Sequence, residues 1–115
     1  MKIAIPLKAL SINACFQGRR FKTPAYRQYD KALDIYLLPF RRDIVRCDWY
    51  EVTYKFYLKN FGMTDGDNCV KALSDGLVRN GFLWDDRRIK RFHVEKFKSP
   101  VDLIEVEIVP YVEDK

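Results

Sequence analysis

Asp65 and Asp67 stand either side of Gly66, and Asp85 and Asp86 follow in the same stretch, "GMTDGDNCVKALSDGLVRNGFLWDDRR", residues 62–88. In an extended loop residues two apart point the same way, so Asp65 and Asp67 face one site. Gly66 lets the backbone between them turn or approach a ligand closely. Burying the connection "FLW" would carry Asp85 and Asp86 back beside the start of the intervening helix. Three carboxylates without histidine or thiolate form a hard, oxygen-only donor set, which suits Mg²⁺ or Mn²⁺. Two such ions about 4 Å apart can clamp the attacking and leaving oxygens of a phosphodiester.

Simpler roles compete for the same residues. Either Asp65 or Asp67 could cap the helix that follows, which explains one aspartate and leaves the other. An EF-hand loop starting at Asp65 fails, because Val70 stands where glycine is expected and Gly76 where the closing glutamate is expected. Asp85 and Asp86 would also suit an ordinary polar turn before a strand. Lys71 lies four residues after Asp67 and could steady negative charge developing on a phosphate. Yet Asp67, Lys71, Asp75 and Arg79 also form an alternating i,i+4 ladder of an exposed helix, and spacing alone favours the ladder.

The elements that must position these side chains are legible from periodicity. "KIAIPL" (2–7) alternates as a strand, and "KALSINACFQGRRFKT" (8–23) reads as a loop. Thr23 and Pro24 make a good helix start, and Tyr26, Tyr29, Leu33, Tyr36 and Leu37 recur at helical spacing. A helix is expected over 24–38, ended by Pro39. "WYEVTYKFYLK" (49–59) alternates cleanly, with Tyr50, Val52, Tyr54, Phe56 and Leu58 on one strand face. Cys69, Ala72, Leu73 and Leu77 fit a second helix over 68–80, stopped by Gly81. "RIKRFHVEKF" and "LIEVEIVPYV" close the chain as strands. The order β-α-β-α-β-β implies an α+β fold, a mixed sheet of about four strands with both helices covering at least one face.

Composition narrows the chemistry. The 115 residues suit a single domain, 1–115, of marginal size for which dimerisation is expected. Cys15, Cys47 and Cys69 are scattered and odd in number, which argues against a disulfide framework or a zinc site and suits a reducing cytosol. With His93 the one histidine, a single chain can assemble neither a His-pair metal site nor a Ser-His-Asp triad. The N-terminal segment is too short and interrupted for a signal peptide, so an intracellular protein is expected. The formal charge of +5 comes in the clusters "GRRFK", "RRDIVR" and "RRIKRFHVEKFK". Such clusters, interleaved with aromatics, suit a polyanion such as DNA, and the plainer alternative is a solvated basic surface. A positive surface that collects DNA around a small acidic pocket would reconcile the two signs of charge.

The stretch "DGDNCVKALSDGLVRNGFLWDD" resembles the signature of the RusA-type Holliday junction resolvases: D-x-D-N, then K-A, D-x-L, a turn with Gly-Phe, and a closing Asp-Asp. The matching positions are Asp65, Asp67, Asn68, Lys71, Ala72, Asp75, Leu77, Gly81, Phe82, Asp85 and Asp86. The likeness extends more weakly to Ser11 and Asn13 in the amino-terminal segment and to Lys96 in the closing strand pair. It implies a Mg²⁺-dependent endonuclease (Mn²⁺ substituting) of the bacterial or phage cytoplasm. Such an enzyme works as a homodimer and makes paired nicks in four-way DNA junctions. It assigns metal binding to Asp65, Asp67 and Asp86, with Asp85 a weaker candidate, and makes Lys71 catalytic, with Asp75 orienting it. The DNA contacts fall to Arg19, Arg20, Lys22, Arg87, Arg88 and Lys96. The sequence departs from the family at Thr64, where arginine is usual, which shifts phosphate contacts toward Arg19, Arg20 or Lys22. Gly66 and Cys69 stand where larger aliphatics are common.

Two other classes stay open at this point. One is a non-catalytic branched-DNA-binding protein of the same fold. The other is a protein-interaction module built on the tyrosine-rich helix 24–38, although those aromatics are more simply core or dimer interface.

Overall fold

Alternation over 49–59 predicts one apolar strand face, and Tyr50, Val52, Tyr54, Phe56 and Leu58 are all buried on a single face of the sheet. The computed structural model describes residues 1–11, 16–17, 21–63 and 69–113. Its elements are β1 (Lys2–Ile5), β2 (Phe16–Gln17), β3 (Phe21–Lys22), α1 (Pro24–Leu37), β4 (Tyr50–Leu58), α2 (Val70–Arg79), β5 (Ile89–Lys98) and β6 (Leu103–Pro110). The four long strands form one mixed sheet in the order β1-β6-β4-β5, as the α+β expectation requires.

Strand β4 is central. It pairs antiparallel with β6 and parallel with β5, and α2 supplies the crossover that a parallel neighbour demands. Both helices lie on the face that carries Ile3, Ile5, Val52, Tyr54, Phe56, Ile104, Val106 and Ile108. Tyr26, Tyr29, Leu33 and Leu37 of α1 pack there with Ala72, Leu73 and Leu77 of α2. Tyr26 and Tyr29 are committed to the core, whereas Tyr36, expected on the same face, is 40% exposed.

Helix α1 starts as expected: the Thr23 hydroxyl oxygen accepts the Tyr26 amide at 3.2 Å and Pro24 takes the first helical position. The α-helix ends just before Pro39, as expected, but the chain does not become extended there. It tightens into a 3-10 segment, Leu38–Asp43, at whose start Pro39 sits, where no amide donor is needed. The predicted loop 8–23 also contains a minimal hairpin, β2 with β3, too short to leave an alternating pattern. The two helices touch closely at Gly76, where a side-chain carbon would overlap Leu33 Cδ2. Arg79 then ties them at the surface, reaching Asp30 at 3.3 Å and Asp34 at 2.6 Å.

Candidate active site

Two local devices bring the distal acidic pair back toward α2. The helix ends in a Schellman arrangement: the Phe82 amide bonds the Leu77 carbonyl at 2.9 Å and the Gly81 amide bonds the Val78 carbonyl at 3.1 Å. Gly81 adopts φ 83°, the left-handed conformation that this motif places at the residue after the cap. Phe82 and Leu83 are thereby folded into the core, both fully buried, while Trp84 stays 57% exposed. The chain then turns through a short 3-10 segment, Asp86–Arg88, which packs against α2 and leads into β5.

The two acids of that turn have different surroundings. Asp85 is engaged by Arg87 on both oxygens, with Nη2 at 2.8 Å from Oδ2 and Nε at 3.2 Å from Oδ1, and it also accepts the Arg87 amide at 2.9 Å. These contacts hold its carboxyl down at about 2. Asp86 joins no ion pair among the described residues, and its charge acts on Lys71, on Arg87 and on the buried Tyr54 phenol. Among the described residues, Asp86 is thus the acid of this turn that no arginine clasps.

Lys71 lies on the first turn of α2, half-exposed, with Nζ 3.0 Å from Asp75 Oδ1. That hydrogen bond, with the charges of Asp75 and Asp86, raises its pKa above the ordinary lysine value. Lys71 is therefore a fixed cation over the physiological range and suits charge stabilisation, not proton abstraction. Asp75 is itself anchored, since its Oδ2 accepts the Tyr26 hydroxyl of α1 at 3.3 Å. Beneath α2, Tyr54 Oη and Ser74 Oγ share a buried hydrogen bond of 2.8 Å, fixing the helix to β4. The ladder expected from spacing thus exists between Lys71 and Asp75 but breaks at Arg79, which turns to α1 instead.

Asp65 and Asp67, the proximal pair, lie outside the described residues, as do Arg19, Arg20 and Asn68. Of the remaining DNA-contact candidates, Lys22 is paired to Asp30 at 2.9 Å and lies over the Tyr26 ring. Arg87 is almost fully exposed while it clasps Asp85. Arg88 stacks on Trp84 at 4.3 Å and on Trp49 at 5.2 Å. Lys96 is half-buried, donating to the Phe61 carbonyl at 3.1 Å and lying over the Phe61 ring. It fastens β5 to the 3-10 turn Phe61–Met63, from which the chain continues toward Asp65.

Sequence reasoning passed over the aromatic partners of these cations. Trp49 and Tyr111 lie beside Arg88, Lys90 and Arg91, on segments far apart in the chain. The signal was the run "WDDRRIKR", which follows Trp84 with four cations in the next seven residues, but their other partner rings are brought in only by the sheet.

A family model described as endodeoxyribonuclease RusA matches residues 15–109 of the chain. No protein in a search of curated sequences matches it.

Proposed function

The chain belongs to the RusA family of endodeoxyribonucleases, and from that premise we propose that it resolves four-way DNA junctions by paired, Mg²⁺-assisted nicks as a homodimer. The observation that carries this reading is that Asp86, which joins no ion pair among the described residues, lies within electrostatic reach of a fixed cation, Lys71, at the start of α2. Asp67 precedes Cys69 by two residues in the chain, so the second acidic group is tethered to the same helix start.

Asp86, with Asp65 and Asp67, would hold the metal. The donor set fits a hard divalent cation: carboxylate oxygens, with Asp85 and Asp75 already committed to Arg87 and Lys71. The chemistry a divalent ion would supply there is Lewis-acid polarisation of a phosphodiester and activation of water. Lys71 adds positive charge where the phosphorane-like transition state becomes most negative, and Asp75 keeps its ammonium in place. Arg87 presents a guanidinium beside the acids, where it can take a flanking phosphate without entering the metal site. The excess of positive charge favours DNA capture with a steep salt dependence. For the second subunit, the β5 edge of the sheet, opposite the β1 edge, is the surface of choice. Phe92, 52% exposed, and Val94 line β5, and antiparallel pairing of two β5 strands about His93 would set Phe92 against Val94.

The test is cleavage of labelled four-way, forked and linear DNA with and without Mg²⁺. Asp67→Asn and Asp86→Asn are expected to bind junctions normally and lose at least about 10²-fold in cleavage, while Asp85→Asn keeps most of it. Full cutting by Asp86→Asn would overturn the assignment. Tight, salt-sensitive junction binding by the unaltered chain with no nicking at any Mg²⁺ or Mn²⁺ concentration would instead identify a non-catalytic junction binder.

A further inference from the structure

Beside the Asp85–Asp86 turn lies a cleft of about 400 Å³ that the metal chemistry does not use, lined by Ile44, Val45, Arg46, Tyr50, Gly81 and Trp84. Its volume falls in the roughly 300–1,000 Å³ range of small-ligand sites and exceeds what one nucleobase needs. The walls are fixed. The Tyr50 hydroxyl is hydrogen-bonded to the Trp84 backbone. The Trp49 carbonyl accepts both the Tyr111 amide at 2.9 Å and the Cys47 thiol at 3.1 Å. Gly81 contributes no side chain, and the space where one would stand is open.

From this cleft a row of alternating rings and cations runs along the start of β5. Arg88 lies 4.3 Å from the Trp84 ring and 5.2 Å from Trp49. Lys90 lies 5.3 Å from Trp49 and 5.2 Å from Tyr111, and Arg91 lies 5.1 Å from Tyr111. Trp84 and Trp49 remain 57% and 43% exposed in spite of these contacts. Exposed indoles held rigid by their neighbours retain π surface for a planar ligand, and cations spaced between them match phosphates.

We propose that this cleft receives one unpaired nucleotide of the branched DNA, its base against Trp84 and its phosphates on Arg46 and Arg88. The inference rests on the nuclease reading and specifies which part of the substrate that site holds. An unpaired nucleotide is the occupant that the chemistry selects. A continuous duplex offers phosphates but no free base face, whereas an open strand at a branch offers both. Asp48, the acid on the lining, can accept from a base amino group. Since Trp84 immediately precedes Asp85 and Asp86, a base seated there lies next to the acids on the same turn.

Trp49 and Trp84 are the chain's whole complement of tryptophan, so intrinsic emission reports this cluster alone. The full chain, without Mg²⁺, is titrated with a single-stranded oligonucleotide, the matching duplex, and a four-way junction carrying 2-aminopurine at the branch. The single strand and the junction are expected to quench tryptophan emission, the duplex is not, and 2-aminopurine emission changes as its base stacks. Trp84→Ala, and Val45→Phe to fill the cleft, each weaken single-strand binding by about five- to hundredfold and abolish the 2-aminopurine response. Circular dichroism confirms that both variants fold. Unchanged single-strand affinity and 2-aminopurine response in both, while the unaltered chain nicks junctions, would overturn the cleft and leave the nuclease intact. Retained quenching by an unaltered chain that never nicks DNA would support the cleft and sink the nuclease reading. Equal quenching by duplex would identify a general phosphate surface and overturn the cleft.

Discussion

Asp75 accepts from Lys71 at 3.0 Å with one carboxylate oxygen and from the Tyr26 hydroxyl at 3.3 Å with the other. The cation assigned to the scissile phosphate is thus referenced, through one carboxylate, to a tyrosine of the neighbouring helix. Lys71→Ala is expected to slow junction cleavage by about 10²–10³-fold, the usual loss when one electrostatic stabiliser is removed. Asp75→Asn keeps the cation but loosens it, costing up to roughly 10²-fold. Because Lys71 is half-exposed and its pair with Asp75 is an i,i+4 surface pair, Lys71→Ala changes stability by under about 0.5 kcal/mol. Single-turnover cleavage beside urea unfolding separates the two effects. A large stability loss with an unchanged rate would reduce Lys71 to a surface ion pair.

Burial pushes the Tyr54 phenol up to about 12, against the Ser74 hydrogen bond that lowers it. An unfolded tyrosine ionises near 10. Between those values the unfolded chain has released a proton that the folded one keeps, so stability falls as pH rises. The contribution is intact below pH 10 and eroded by about 2–3 kcal/mol on approaching pH 12. Urea denaturation across pH 9–12 should show this decline in the unaltered chain and a shallower one in Tyr54→Phe.

Ser74→Ala leaves the Tyr54 hydroxyl buried without its partner, at an expected loss of about 1–3 kcal/mol. Gly76→Ala tests a different constraint, because its new methyl must displace fully buried Leu33. Overpacking of this kind costs about 1–3 kcal/mol, more than the small gain alanine brings to helix propensity. Thermal unfolding of each variant gives the comparison, and a Gly76→Ala protein as stable as the original would show that the helices can separate freely.

Elements whose apolar residues repeat locally were readable from sequence. Tyr50 through Leu58 and Tyr26 through Leu37 declare a strand and a helix because each buries one face against the same core. The return of the acidic turn to α2 was also readable, since Phe82 and Leu83 have to be buried and Gly81 permits the reversal. What the pattern could not carry was pairing between distant segments. Nothing in "RIKRFHVEKF" states that it lies parallel to β4, or that Arg88 is flanked by Trp49 as well as Trp84. The division of labour between Asp85 and Asp86 was equally hidden, because adjacent identical residues differ only in where their backbone points them. Arg87 takes the first, and the charge of the second reaches Lys71 on α2.

Strand β1 finds its place against β6, with Lys2 opposite Glu107 and Ile5 opposite Ile104. Strand β1 therefore waits for a partner synthesised about a hundred residues later, a delay of roughly 5–20 s at about 5–20 residues per second. The β4–α2–β5 unit can assemble meanwhile from contiguous chain, but its inner neighbour is missing until β6 has been made. Ile3 and Ile5 spend that interval in water. Cellular synthesis thus acts as a clock on this nuclease, and a stalled nascent chain presents greasy, unzipped strands to the chaperones before it can present a finished sheet to DNA.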